Sequence, residues 1–152
     1  MKKLLTFILS LTVGLAFSCA AQEQPNDLVV VGTISGDQNM EQIEARYQHR
    51  LGVLFIKASA LSGAEQISIA LDGKKINNLH IFVKDDLQGL FLTNVPVTLD
   101  NANDFSNQFN GWKQSVEGKI VIHNQTGASN LEYNQLLNKL KDLTGLEVEL
   151  KQ

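Results

Sequence analysis

Gln66-Ile67-Ser68-Ile69-Ala70-Leu71-Asp72-Gly73-Lys74-Lys75-Ile76 is the stretch on which the fold reading turns. Ile67, Ile69 and Leu71 alternate with small or polar residues, the period of a half-buried strand. Asp72-Gly73 is a favoured two-residue hairpin turn. Ile76, Leu79, Ile81 and Val83 continue on the return side. Asp85-Asp86 marks another turn, and Leu87 to Thr93 reads as a further strand. Pro96 suits an edge or a strand end, because it has no amide to give a central ladder. The middle of the chain therefore reads as an antiparallel meander. With β-α-β segments on either side, the expected class is α+β: a mainly antiparallel sheet with two or three helices packed on one face.

Upstream, Leu28-Val29-Val30-Val31 is a β-branched apolar run that stops at Gly32, a buried strand by pattern. Asp37 can cap a helix whose face is Met40, Ile43, Tyr47 and Leu51, ending at Gly52. Val53-Leu54-Phe55-Ile56 follows as a second strand. Tyr47, His49, Leu51, Val53 and Phe55 also alternate, so an extended reading of that region stands beside the helical one.

Downstream, Ala102, Phe105, Phe109, Trp112 and Val116 recur at helical spacing, with Asp100 near the cap. The alternative is a short helix to Phe109 and a hairpin turning at Glu117-Gly118. Lys119 to His123 reads as a strand. Ser129-Asn130-Leu131-Glu132 matches a capping box and opens a helix with Leu136, Leu137, Leu140 and Leu143 on one face. Gly145 suits its C-terminus, and Leu146, Val148 and Leu150 then alternate as a last strand. Ser35 to Glu41 faintly parallels Thr126 to Glu132, which raises the possibility that residues 28–57 and 119–151 are a duplicated unit.

The N-terminus speaks to compartment. Lys2 and Lys3 precede an apolar run from Leu4 to Phe17 and the small residues Ser18, Cys19, Ala20 and Ala21, the layout of an export signal. The run is short for a membrane span. Two processing readings stand: cleavage after Ala20, or lipidation of Cys19, since Leu15 to Cys19 resembles a bacterial lipoprotein signal. That resemblance departs at Ala16, where Leu is usual. The expected division is a signal peptide over 1–20, a flexible tether over 21–27 and one domain over 28–152. Cys19 is the only cysteine, so the mature domain has no internal disulfide and must hold by its core. Removing Lys2 and Lys3 leaves 11 basic against 16 acidic residues, a net charge of −5. Without a basic patch carrying interleaved aromatics, nucleic acid is an unsuitable partner.

Chemistry is sparse. The three histidines, His49, His80 and His123, belong to no HExxH or Cys/His metal pattern. Asp100 to Asp104 fails as a calcium loop, with Ala102 at a ligand position and Phe105 in place of the turn glycine. There is no nucleophile elbow, and no cofactor or metal is expected. Gln114-Ser115-Val116-Glu117-Gly118 resembles the QxVxG loop of cystatins, which wedges into papain-like proteases. That resemblance covers five residues and implies Gln114, Val116 and Gly118, with Trp112 beside them, as partner-binding residues. Three functional classes follow: a non-catalytic envelope protein that binds a protein or small ligand, a small periplasmic hydrolase drawing on Asp85, Asp86 and His123, and a cystatin-like inhibitor. Contact with a membrane would come only through a lipid on Cys19.

Overall fold

A computed structural model describes residues 26–32, 52–57, 59–84, 86–93, 95–124 and 128–151. Five strands form one sheet: β1 (Leu28–Val31), β2 (Gly52–Phe55), β3 (Leu79–Phe82), β4 (Lys119–His123) and β5 (Glu147–Lys151). Their spatial order is β2-β1-β3-β4-β5 and every neighbouring pair is parallel. Three helices connect them: α1 (Gly63–Leu71), α2 (Ser106–Ser115), which continues a 3-10 turn over Ala102–Phe105, and α3 (Leu131–Thr144). This is an α/β arrangement, with the strand order of flavodoxin-like sheets.

The expectation of an α+β fold with a mainly antiparallel sheet is therefore overturned, and the decisive stretch shows why. Ile67 and Leu71 are one helical turn apart and both buried, while Ile69 is 63% exposed. The apparent strand alternation is half of a helical stripe. The overlooked signal is Ser62-Gly63-Ala64-Glu65, a capping box: the Ser62 hydroxyl accepts from Glu65 N at 3.2 Å, and the Glu65 carboxylate accepts from Ser62 N at 2.7 Å. Those bonds hold the Glu65 carboxyl below the usual carboxylate range, the Ser62 amide contributing most. Asp72-Gly73 does turn the chain, with Gly73 at φ +66°, but it ends α1 and begins no hairpin. Leu87 to Thr93 forms no strand; Leu90 makes a lone antiparallel bridge to Val97.

The three helices cover one face of the sheet. Leu28, Val30, Leu79, Ile81, Ile120 and Ile122 meet Ile67, Leu71, Phe109, Trp112, Tyr133 and Leu140 in the main core. Burial on both faces explains why β1 and β4 are near-continuous apolar runs. Trp112, nearly fully buried, donates from its indole to Ser68 Oγ at 2.9 Å and fixes α2 to α1. The α3 cap sits one residue later than the capping-box reading: Asn130 Oδ1, not Ser129, accepts from the helix, from Tyr133 N at 2.7 Å. Gly145 closes α3 at φ +65°, a conformation that side-chain-bearing residues rarely adopt.

The fold begins before β1. Asn26 O accepts from Asn77 N at 2.7 Å, and Asp27 is buried, so the end of the expected tether is part of the domain. The signal segment 1–20, Cys19, the tether residues 21–25, the helix expected after Asp37, the extended alternative from Tyr47, His49, Asp85 and both halves of the duplicated turn, save Ala128 to Glu132, lie outside the described residues.

Candidate functional site

Two polar features stand out of this sheet, and both follow from strand register. The first lies on the face away from α1, α2 and α3. Register sets His80 beside Val29 and Val121, and Phe82 beside His123, so both histidines look out of that face two steps apart along the strands. His80 Nδ1 and His123 Nε2 are 2.9 Å apart. His80 Nε2 stands 3.2 Å from Asp27 Oδ2. The other Asp27 oxygen accepts from Asn78 N at 3.1 Å and Asn78 Nδ2 at 3.2 Å. His123 stacks on Phe82 with ring centroids 4.3 Å apart and planes 5° from parallel.

The chain Asp27–His80–His123 has its tautomers dictated from one end. A carboxylate only accepts, so His80 Nε2 carries a hydrogen. With His80 neutral, its Nδ1 is an acceptor and His123 Nε2 must donate to it. With His80 protonated, it donates both ways. The three groups thus form one hydrogen-bonded chain along the sheet, from the amino side of β1 to the carboxyl end of β4. Among the described residues, no cluster of three or more His, Cys, Asp or Glu is arranged to hold a metal ion.

The second feature is the carboxyl end of the sheet. Open parallel sheets bind ligands there, where strand order reverses, which in this order is between β1 and β3. The segment after β3 occupies that position. Gly32 allows it: a Cβ on Gly32 would stand 2.7 Å from the Phe91 carbonyl oxygen. Leu90 and Val97 exchange backbone bonds of 2.8 and 3.0 Å that pin this segment. The next polar group along the edge is Asn124, which is 2% exposed. Its amide N donates to Lys151 O at 3.1 Å and its Nδ2 to Ala128 O at 3.0 Å. Its Oδ1 is buried and receives no hydrogen bond from the described residues. A buried acceptor left unmade costs roughly 1–3 kcal/mol. Exposed Lys84, which follows β3, extends over the Phe91 ring with Nζ 6.0 Å from the centroid.

A cleft of about 360 Å³ opens at the opposite end of the domain, between the C-termini of α1 and α2, lined among others by Ser68, Lys74, Lys75, Trp112 and Gln114. Lys75 Nζ donates to the Gln114 carbonyl at 2.5 Å across it, so one of its cations answers a helix C-terminus.

The residues expected from sequence scatter. Trp112 and Val116 are core residues, Val116 bridging to Ile76. Gln114 is exposed at the end of α2, and a Cβ on Gly118 would meet Asn77 O at 2.6 Å. The Gln114–Gly118 segment joins a helix to β4 rather than linking two strands. Asp86 gives its carboxylate to Gln88 N at 3.0 Å, whereas the described partners of His123 are His80 and Phe82. Sequence reasoning missed the joining of Asp27, His80 and His123, because 53 and 43 residues separate the partners. The available signal was a single histidine inside each of two apolar strands, Leu-His-Ile-Phe and Lys-Ile-Val-Ile-His.

No curated protein matches the chain. One family profile does, and its limits fall on the structure just described. It starts inside β1 at position 30 and ends inside β5 at position 151. It takes in the whole β1–β5 order with His80, His123 and Asn124, and leaves Asp27 three residues outside. By that match this chain belongs to DUF4347, a domain of unknown function.

Proposed function

We propose that the mature chain is an exported bacterial envelope domain that acts by binding, and that it takes its partner or ligand at the carboxyl end of the sheet. The observation that carries this is Asn124 Oδ1, an acceptor buried with no donor among the described residues. A ligand N–H or O–H supplies that donor and recovers the lost hydrogen bond. The export signal read in residues 1–20 supports the compartment.

Photo-crosslinking in the exporting cell tests the reading. A benzophenone side chain replacing Lys84 reports on the carboxyl end, and one replacing Lys74 reports on the α1–α2 cleft. The expected result is a discrete adduct from position 84 that is lost with Asn124→Ala, and none from position 74. Adducts from position 74 alone would move the site to the cleft. Intact mass of the recovered protein checks export: loss of the first 18 or 20 residues is expected, and retention of Met1 sinks it.

A further inference from the structure

The two edges of the sheet differ in a way that points to a partner. β5 carries charge at every second position, Glu147, Glu149 and Lys151. Lys119 bridges to Glu149, which raises the lysine and lowers the carboxyl from their ordinary values. Alternating charge is how natural sheets keep an edge from pairing. β2 has no such guard. Gly52-Val53-Leu54-Phe55 holds no charge and no proline, and all four residues stay partly exposed. Among the described residues nothing pairs with its outer side.

Register says which backbone groups that edge offers. Ile56 N donates to Val31 O at 2.9 Å, so residues 54 and 56 turn their amides and carbonyls towards β1. Residues 53 and 55 turn theirs outward. From this pattern we infer that the β2 edge pairs with the β2 edge of a second copy of this chain, antiparallel and centred on Leu54, joining two five-stranded sheets into one.

The centring is dictated by the groups themselves. Antiparallel pairing about position 54 sets Val53 opposite Phe55 of the second copy, and Phe55 opposite its Val53. Both are outward residues, and in a hydrogen-bonded antiparallel pair each exchanges two bonds, so the four outward groups of one edge answer the four of the other. Val53 and Phe55 lie on the same face, so each contact is also a β-branched–aromatic cross-strand pair, a favourable combination. The strand meets its own inverse without bringing any charge opposite a like charge. A two-fold contact of this kind closes on itself and, among the described strands, leaves the charged β5 of each copy at the outer edge.

A single thiol reads the register. In the full chain carrying Cys19→Ala, recovered as the host processes it, an introduced cysteine is the only one present. Leu54→Cys places the two thiols at the two-fold centre, a non-hydrogen-bonded pair whose short separation suits a disulfide. Under mild oxidation Leu54→Cys is expected to convert to a disulfide-linked dimer, while Leu150→Cys on β5 stays reduced. Sedimentation of the cysteine-free chain is expected at twice the monomer mass, and Val53→Lys at the monomer mass with unchanged circular dichroism. A cysteine-free chain that sediments as a monomer, or Leu150→Cys crosslinking as readily as Leu54→Cys, overturns the inference. If Val53→Lys fails to fold, the cysteine pair still decides.

Discussion

The two faces of the sheet are made by alternate residues of the same strands, yet they are built differently. Towards α1, α2 and α3, the sheet side chains are aliphatic and the core runs without a break from Leu28 to Leu150. On the other face the described apolar residues are Val29, Val31 and Phe82, with Val53 and Phe55 against them, and they adjoin the Asp27–His80–His123 chain. Among the described residues the first face holds the larger apolar cluster, and burial scales with apolar area. The second supplies position. Its hydrogen bonds run from Asp27 to β3 and on to β4, and they are met only in the observed register, since a one-residue slip turns each histidine into the opposite face.

The comparison breaks most readily at its heavy end. Trp112→Ala removes a large side chain from the helix-covered core together with its bond to Ser68. It should cost roughly 3–5 kcal/mol in denaturant melts. Asp27→Ala, on the other face, removes the acceptor for Asn78 and for His80. It should cost roughly 1–3 kcal/mol. Equal losses for the two variants would erase the division between a stabilising face and a positioning face. A nitrogen-correlated NMR spectrum sharpens the point: with both rings neutral, His80 and His123 should each carry hydrogen on Nε2, and Asp27→Ala should release that preference at His80.

Smaller effects test the caps that set α3 and α1 against the first face. Asn130→Ala should cost about 1 kcal/mol, since Tyr133 N loses its acceptor, and Ser129→Ala should cost far less. The reverse order would restore Ser129 as the cap. Least of all is Glu65→Gln. The Glu65 carboxyl sits below its ordinary value in the folded state. Its contribution is therefore present above the unfolded-state pKa and fades as pH falls through the folded one. Stability of the Gln variant should differ from wild type near neutral pH and converge with it in acid. A difference that grows on acidification would contradict the cap's role.

Much of the local structure was legible. β1, β4 and the helix from Leu131 were readable because each has one dominant period and clear punctuation. α2 was readable in part, through Phe109 and Trp112, beside the rival reading of a short helix ending at Phe109; Val116 lies one residue past its end, in extended backbone. The error that decided the fold class lay in α1. Ile67, Ile69 and Leu71 satisfy the strand period as well as Ile67 and Leu71 satisfy the helical one, and the Asp72-Gly73 turn serves either. Ser62 and Glu65 carry the information that separates the two, since only a helix start uses a serine and a glutamate three apart in that way.

Taken alone, the sequence determined the export signal as an expectation, the absence of any thiol beyond Cys19, and the elements whose side chains repeat with one period. Those are local properties, set by residues within one or two turns of each other. Strand direction and order, the meeting of Asp27 with His80 and His123, and the stranded Oδ1 of Asn124 belong to tertiary structure alone. Each depends on which strands lie side by side and in what register. Local preference carries no term for that; it is settled when the apolar faces of distant segments are buried together.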